Sequence, residues 1–430
     1  MISKVPTFLR FLIIIVIALG IDIYAYQAVK TISKDFDSNL LRTSVRRAYW
    51  LSTLFFLVYT TSVMIFATLQ PIKESSPLYQ YVFAFFILLY APKLVIIPIL
   101  LFEDLFRSGK FIAKKYLYVN KKHDISNKIN PITRKQFISQ SGLVLASIPF
   151  FGILHGITVG RYNFQVFHHD LSFEDLPISF SGLKIVQISD IHAGSFNNQK
   201  AVAKGIDLIL VQKPDIIFFT GDLVNNLAEE MLELKTLFAR LNAPLGVYSI
   251  VGNHDYGDYV RWESLEAKTA NFFQLQKVHQ EMGWHLLMNE AHIIHKNGAE
   301  IAIVGVENWG NPPFPQYGDL KKALTKVDTN MFTILLSHDP THWDEIVLPY
   351  PQKIHLTLSG HTHGMQFGVE LGNIRWSPVS FKYPRWAGLY EESNQFLHVN
   401  RGFGTIGFPG RVGIFPEITV ITLHRKNQSS

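Results

Sequence analysis

Long apolar stretches occupy the first part of the chain, and short apolar runs separated by polar turns occupy the remainder. Four of the long stretches approach the roughly 20 residues that a helix needs to cross a hydrocarbon core of about 30 Å. They are residues 11–28, 48–69, 81–102 and 143–159. The pattern predicts a transmembrane region of about four helices over residues 1–162 and a separate domain over residues 163–430.

The pattern of the second domain is that of an α/β fold. Apolar, β-branched runs predict strands at residues 183–189, 215–220, 246–251, 301–305, 332–337, 356–359 and 418–423. Helical spacing of apolar residues predicts helices at 199–212 and 228–241. Alternation of strands and helices early, followed by mainly strands, predicts an α/β sandwich in which helices cover stacked sheets.

Composition agrees with a membrane protein. The chain of 430 residues is 48% hydrophobic and only 17% charged. Its net charge is +6, but the basic residues cluster in loops between the apolar stretches, which is typical of membrane proteins and does not indicate nucleic-acid binding. Cysteine is absent, so disulfides and thiolate metal sites are both excluded.

The loop charges predict an orientation. Five basic residues lie between the first two stretches and nine between the last two, whereas the middle loop offers only Lys73. The positive-inside rule then places both basic loops in the cytoplasm and, with four spans, the second domain on the extracytoplasmic face. One span fewer would invert this result. Asp22 and Lys93 are charges within spans, and we expect them to snorkel from helix ends or to pair within the bundle.

Polar blocks follow five of the predicted strands. They are Asp190-Ile191-His192, Gly221-Asp222, Gly252-Asn253-His254-Asp255, Ser337-His338-Asp339 and Gly360-His361-Thr362-His363. In open α/β sheets, ligands gather beyond the carboxyl ends of the strands, so we expect these blocks to converge. Imidazole, carboxylate and amide oxygen suit divalent metals such as Mn, Fe, Zn or Co.

The blocks supply enough ligands for two divalent ions, which can clamp a phosphoryl group. The candidate ligands are Asp190, His192, Asp222, Asn253, His338, His361 and His363. Singly, each has an ordinary explanation as a helix cap, a turn residue or a structural hydrogen-bonding group. The ordered set indicates a metal site.

This ordered set closely resembles the calcineurin-like metallophosphoesterase family over about residues 180–424. The resemblance implies a four-layer αββα sandwich in which Asp222 bridges two metals. Asp190, His192 and His363 would complete one metal site, and Asn253, His338 and His361 the other. A metal-bound hydroxide would attack phosphorus, and His254 would be the catalytic residue that stabilises the transition state or protonates the leaving oxygen.

Residues 360–366 and 400–404 resemble a membrane-associated or exported bacterial branch of that family. This branch includes phosphodiesterases and enzymes that cleave the pyrophosphate of UDP-2,3-diacylglucosamine. Two residues depart from the pattern: Asn225 replaces an Asp that orients the catalytic His, and Met365 replaces a Gly. The arginine that follows the Gly-Asp block in protein phosphatases is absent, which argues against a phosphoprotein substrate.

Arg401 and Arg411 lie in a glycine-rich tail and are candidates for gripping phosphate, with ion pairing as the alternative. The first hypothesis is a membrane-anchored phosphoesterase acting on a phosphodiester or pyrophosphate of a lipid-linked or envelope substrate. Its partner is the lipid bilayer, and no nucleic acid is expected. The alternatives are a UDP-2,3-diacylglucosamine pyrophosphatase facing the cytoplasm, and a membrane scaffold that keeps the fold without catalysis.

Overall fold

A computed structural model describes residues 7–69, 77–116, 134–372 and 374–426. The chain divides into two compact units. The N-terminal helices form a unit that ends at Leu154, and the second unit begins at His155 and also takes in Tyr81. The division into residues 1–162 and 163–430 stays a prediction.

Four long helices make up the N-terminal region. They are α1 (Thr7–Ser33), α2 (Asn39–Leu69), α3 (Pro77–Tyr116) and α4 (Arg134–Thr158). Among the described residues, three segments are long and apolar enough to cross a membrane: Ile15–Ser33, Gln80–Ala113 and Gln136–Thr158. The predicted span 48–69 falls on α2, but the side chains of residues 63–69 lie outside the described part. So do residues 70–76 and 117–133 of the loops that carry the charge pattern.

The two charges within the spans pair with each other. Lys93 forms an ion pair with Asp22, which is fully buried. The hydroxyl of Tyr90 donates to Asp22 Oδ2 at 2.9 Å, and that of Tyr49 donates to the Asp22 backbone carbonyl at 2.8 Å. Pairing within the bundle, one of the two expected outcomes, is therefore the one observed.

Two six-stranded sheets form the centre of the second unit. The first has the order β1-β14-β2-β3-β4-β5. Its strands are β1 (Gln165–Phe173), β2 (Leu183–Ile188), β3 (Ile216–Phe219), β4 (Val247–Ser249), β5 (His285–Leu286) and β14 (Glu417–Arg425). Strands β2 to β5 run parallel, and β14 is antiparallel to β2.

The second sheet has the order β12-β13-β9-β8-β7-β6. Its strands are β6 (Glu290–Lys296), β7 (Ala299–Gly305), β8 (Thr333–Leu336), β9 (Leu356–Ser359), β12 (Gly388–Glu392) and β13 (Gln395–Val399). A separate hairpin consists of β10 (Val369–Leu371) and β11 (Ile374–Trp376). Helices α5 (Gln199–Val211), α6 (Lys235–Phe238), α7 (Leu265–Glu281) and α8 (Leu320–Ala323) complete the unit.

Three apolar cores separate the four layers. The central core joins the facing sides of the two sheets and includes Phe218 and Ile334. One outer core packs α5 and α7 on the first sheet through Ile206 and Leu275. The other packs α8 on the second sheet and includes the fully buried Trp343. The α/β four-layer αββα sandwich preceded by an all-α transmembrane region is confirmed.

Local predictions succeeded where apolar runs were long. All seven predicted strands overlap observed ones, as does the helix at 199–212. The helix predicted at 228–241 is wrong in extent: a 3₁₀ turn at Ala228–Met231 precedes the single turn of α6. Helix α7 was missed because only a few of its residues are buried, so its apolar spacing is weak.

Candidate metal centre and active site

The candidate residues come together at the carboxyl ends of five parallel strands. Asp190 follows β2, Asp222 follows β3 and Asn253 follows β4 in the first sheet. His338 follows β8, and His361 follows β9, in the second sheet. Since the two sheets face each other, their strand ends deliver ligands to one place from both sides.

One group consists of Asp190, His192 and His363, all buried. The Nε2 atoms of His192 and His363 lie 3.0 Å apart. His363 Nε2 lies 3.2 Å from Asp190 Oδ1. A second group consists of Asp222, His338 and His361. Asn253 joins it, because Asn253 Oδ1 lies 2.9 Å from His361 Nδ1.

One carboxylate oxygen lies between the two groups. Asp222 Oδ2 is 3.1 Å from His338 Nε2 in the second group and 3.6 Å from His192 Nε2 in the first. Asp190 Oδ1 also lies near imidazoles of both groups, 3.2 Å from His363 Nε2 and 4.0 Å from His338 Nε2, so its contact across the groups is longer than that of Asp222. The position of Asp222 Oδ2 is the one that the resemblance assigns to a bridging ligand.

The backbone at these residues is strained. Five of the seven candidate ligands have positive φ: Asp190, His192, Asp222, His361 and His363. Such conformations are uncommon for residues other than glycine, and they concentrate at functional sites. Gly360 permits the close approach of the strands, because a Cβ there would meet Ser189 Oγ at 1.9 Å. The fold therefore holds these side chains at a local energetic cost.

Burial and neighbouring charges set the protonation states. Burial lowers the pKa of His192, His361 and His363, which favours neutral imidazoles with a free lone pair. Burial alone would raise the pKa of Asp222, but the adjacent His338 and His254 imidazoles hold it well below its usual range. Burial also disfavours charge on His338, yet the Asp222 carboxylate raises the pKa of His338 to about 10.

The arrangement fits divalent cations. His338 Nδ1 lies 2.7 Å from the Thr220 carbonyl oxygen, to which it can only donate. The proton that the raised pKa of His338 leaves on Nε2 faces Asp222 Oδ2 at 3.1 Å, and a cation that replaces this proton would meet a lone pair on Nε2. Two facing acceptors require a proton or a cation between them. Ligands about 2.1 Å from one ion would be roughly 3.0–3.4 Å apart at right or tetrahedral angles, close to the observed separations.

His361 shows the same arrangement. Its Nε2 lies 2.8 Å from the Tyr383 hydroxyl and 3.3 Å from Asp339 Oδ2. When Nε2 donates to either, Nδ1 directs a lone pair at the amide oxygen of Asn253. His363 is different, since Arg411 Nη2 lies 3.2 Å from its Nδ1. A guanidinium only donates, so His363 Nε2 can serve a cation only if that contact is given up.

His254 lies beside the ligands at the cleft. Its ring is perpendicular to that of His192, with centroids 5.0 Å apart. Its Nδ1 lies 2.9 Å from the backbone carbonyl oxygen of Asn225, which can only accept, so Nδ1 carries the hydrogen. Its backbone N–H donates to Asp222 Oδ1 at 2.9 Å. Nε2 is thus the nitrogen available for proton transfer.

Two acidic residues hold the surrounding loops. Asp255 accepts from the backbone N–H groups of Asp222, Leu223, Val224 and Gly252. Glu230 accepts from those of Gly194, Asn225, Asn226 and Leu227. Each carboxylate therefore fixes a loop that carries candidate site residues.

The two candidate phosphate-gripping arginines have internal partners. Arg401 is buried and pairs with Glu417 and with Glu370, whose Oε1 lies 2.5 Å away. Arg411 is fully buried and donates to the backbone carbonyls of Arg401 and Gly404. Of the alternatives for Arg401, ion pairing is the one observed, and neither guanidinium lines the cleft.

A cleft of about 200 Å³ opens over the second group and His254. Sequence reasoning missed several of its residues: Phe314, Val379, Lys382, Tyr383 and Ile406. Lys382 is its one lysine or arginine among the described residues. Tyr259 was also missed: its ring is 4.4 Å from that of His254, and its hydroxyl accepts from Asn253 Nδ2 at 2.8 Å. Asp339 could have been found from the sequence, because it directly follows the candidate ligand His338.

Family comparisons agree with this geometry. Residues 183–365 match the profile described as "Calcineurin-like phosphoesterase", and residues 9–161 match "Probable Calcineurin-like phosphoesterase, transmembrane domain". The metallophosphoesterase YkuE of Bacillus subtilis is 32% identical over 264 residues, which are 60% of this chain and 85% of YkuE. The chain belongs to the calcineurin-like metallophosphoesterase family. It is therefore a metal-dependent hydrolase of phosphate ester or phosphoanhydride bonds.

Two further relatives carry more specific names. The UDP-2,3-diacylglucosamine pyrophosphatase LpxG of Chlamydia trachomatis is 30% identical over 274 residues, which are 54% of this chain and 81% of LpxG. The phosphodiesterase YaeI of Escherichia coli is 27% identical over 302 residues, which are 68% of this chain and 99% of YaeI. These names state the activities of the relatives only. The present chain is a membrane protein of the same family.

Proposed function

We propose that this protein hydrolyses a phosphodiester or pyrophosphate of a lipid-linked or envelope substrate, with two divalent ions and His254. The observation that carries the proposal is Asp222 Oδ2, which lies between His338 and His192 of the two ligand groups. Asp190, His192, Asp222 and His363 would hold one ion, and Asp222, Asn253, His338 and His361 the other. When bound, such ions offset charge on phosphate oxygens and lower the pKa of a water.

The chain's own residues would do the rest. His254, with its Nδ1 hydrogen fixed on the Asn225 carbonyl, can take up a second proton from solvent on Nε2 and, as the imidazolium, deliver it to the leaving oxygen. Lys382 at the cleft can pair with a phosphate oxygen, the role considered for Arg401 and Arg411. Tyr383 and Phe314 would limit access to His361 from one side.

The lipid-linked or envelope substrate and an extracytoplasmic active site are part of the same proposal. The basic loops beside the spans support this orientation. A dual reporter, active as a phosphatase outside and as a fluorophore inside, can be fused after Tyr162 and after Ser430. Phosphatase activity at both positions is expected, and fluorescence at Tyr162 would contradict the orientation.

The test of catalysis uses the full chain purified in detergent and supplied with Mn²⁺. We expect it to hydrolyse bis(p-nitrophenyl) phosphate, and chelation to abolish the activity. A protein that binds two metals yet leaves every phosphate ester intact would contradict the proposal. It would favour the alternative of a membrane scaffold that keeps the fold without catalysis.

A second candidate is favoured by the similarity to LpxG. In that case the protein would release UMP from UDP-2,3-diacylglucosamine on the cytoplasmic side. Rapid UMP release together with a cytoplasmic Tyr162 reporter would establish this candidate. An external reporter would exclude it, because that nucleotide substrate is cytosolic.

A further inference from the structure

The hairpin β10–β11 has its apolar face turned to solvent. In its register Val369 faces Trp376, Glu370 faces Arg375 and Leu371 faces Ile374. Because side chains alternate along a strand, the four apolar residues share one face. Their exposed fractions are 49% for Val369, 73% for Leu371, 64% for Ile374 and 48% for Trp376.

The polar face of the hairpin is the one attached to the protein. Glu370 pairs with the buried Arg401 at 2.5 Å. The guanidinium of Arg375 lies 5.4 Å from the ring centre of Trp386, which is buried. A hairpin in a soluble protein normally buries its apolar face and leaves the polar face in water. Here the apolar face is exposed while Glu370 of the polar face is held against the protein and Arg375 remains exposed, so the apolar face calls for a partner.

The apolar face continues to the mouth of the cleft. Phe381 is 85% exposed, and its ring lies 6.5 Å from that of Trp376. The next residue, Lys382, lines the cleft. We call the five side chains Val369, Leu371, Ile374, Trp376 and Phe381 the apolar face of the hairpin from here on. Anything that covers this face lies next to the candidate active site.

The hairpin is also linked by hydrogen bonds to the end of a candidate membrane span. The backbone N–H of Arg411 donates to the carbonyl of Gly156, in the last turn of the span Gln136–Thr158. The next residue, Val412, donates to Gln366 at 2.7 Å and accepts from Gly368 at 2.9 Å. Strand β10 begins immediately after Gly368. The last turn of α4, which belongs to the same unit as the hairpin, thus lies close to the base of the hairpin.

We infer that the apolar face of the hairpin docks into the interfacial region of the lipid bilayer. Aromatic and aliphatic side chains flanked by Arg375 and Lys382 are the composition that favours the boundary between headgroups and acyl chains. Docking would hold the mouth of the cleft at headgroup level. The inference goes beyond the proposed function and holds for any phosphate ester that the site accepts.

The test uses the absence of cysteine in the chain. Leu371→Cys and Phe381→Cys are each labelled with a nitrobenzoxadiazole fluorophore. The full chain is reconstituted in phosphatidylcholine–phosphatidylglycerol vesicles whose acyl chains carry doxyl quenchers. The matched controls are Ile178→Cys, 72% exposed before the amino end of β2, and Phe273→Cys, 68% exposed on α7. We expect doxyl lipid to quench both hairpin labels several-fold more strongly than the controls.

Equal quenching at hairpin and control positions would overturn the inference. So would labels that doxyl lipid leaves bright but that quench one another as the protein-to-lipid ratio rises, because a second copy would then cover the face. Two hairpin positions are labelled so that the test can still be made if one of the two variants misfolds. Quenching requires no turnover, so a failure to hydrolyse bis(p-nitrophenyl) phosphate contradicts the proposed function without affecting this result.

Discussion

Asn225 holds His254 through its backbone: the carbonyl oxygen lies 2.9 Å from the imidazole Nδ1. Its side chain points elsewhere and accepts a hydrogen bond from Ser195 Oγ at 3.3 Å. In the family resemblance an Asp at this position orients the catalytic histidine. Here the backbone carbonyl of Asn225 accepts the hydrogen bond that the carboxylate would accept. His254 is therefore oriented even though Asn225 replaces the Asp.

The first prediction separates the two residues kinetically. His254→Ala should lower kcat for bis(p-nitrophenyl) phosphate by about 10²–10⁴-fold, since a proton donor is removed. Asn225→Ala should lower it by about tenfold or less, below the usual effect of losing a supporting side chain at a metal site. Steady-state kinetics on the purified chain measure both. A loss in Asn225→Ala well above about tenfold would show that the Asn225 side chain also orients His254.

The second prediction concerns Glu230, which fixes the Asn225 backbone. Its two oxygens accept four backbone N–H groups, including that of Asn225 at 2.6 Å. In Glu230→Gln an NH₂ group would face two of those donors, each costing about 1–3 kcal/mol when unsatisfied. We expect a lower melting temperature and a kcat that falls more than in Asn225→Ala. Wild-type kcat in a folded Glu230→Gln variant would mean that this loop does not position His254.

The third prediction concerns the carboxylate between the two ligand groups. Asp222→Asn removes a negative charge that both groups face. Metal content, measured by mass spectrometry of the purified chain, should fall, and turnover should fall by more than about 100-fold, the upper range for residues outside the ligand shell. Asp207→Asn, an exposed carboxylate on α5, is the control and should retain both. Normal turnover in Asp222→Asn would show that the proposed site is wrong.

The fourth prediction concerns acid stability. Burial lowers the pKa of His279 from 6.5 to about 3, so the folded protein keeps this ring neutral. Below pH 6.5 His279 is protonated in the unfolded chain but stays neutral in the folded chain. The free energy of unfolding therefore declines as the pH falls toward 3. The loss approaches 1.4 kcal/mol per pH unit. Between pH 7.5 and pH 5 the melting temperature of His279→Gln should therefore fall less than that of the wild type. Thermal unfolding in detergent measures both. The same slope in both proteins would contradict the assignment.

The fifth prediction concerns the ion pair among the helices. Lys93→Met would leave the buried Asp22 carboxylate without its cation. We expect a loss of about 3–5 kcal/mol of stability, because an unpaired buried charge is costly. The double variant Asp22→Asn/Lys93→Met should recover much of it. Thermal unfolding in detergent of Asp22→Asn, Lys93→Met and the double variant gives the coupling free energy between the two side chains. Additive effects would mean that the two charges act independently.

Much of the fold could be predicted because burial leaves a regular pattern in sequence. The strands β2, β3, β8 and β9 are buried on both faces and appear as continuous apolar runs. The candidate ligands were found in the polar residues that follow directly after these runs. By contrast, β10 and β11 have an apolar face with no core behind it, so neither alternation nor a buried run indicated them.

The sequence by itself determined the order of the seven predicted strands, the membrane region and the ligand types, because these depend on apolar periodicity and local chemistry. Only the tertiary structure decided how distant residues meet. It placed Asp222 between imidazoles from two sheets, enclosed Arg401 and Arg411 among internal acceptors, and placed Lys382 and Tyr383 in the cleft. These relations depend on strand order and on the packing of one sheet against another, and residues far apart in the chain carry no local signal of either.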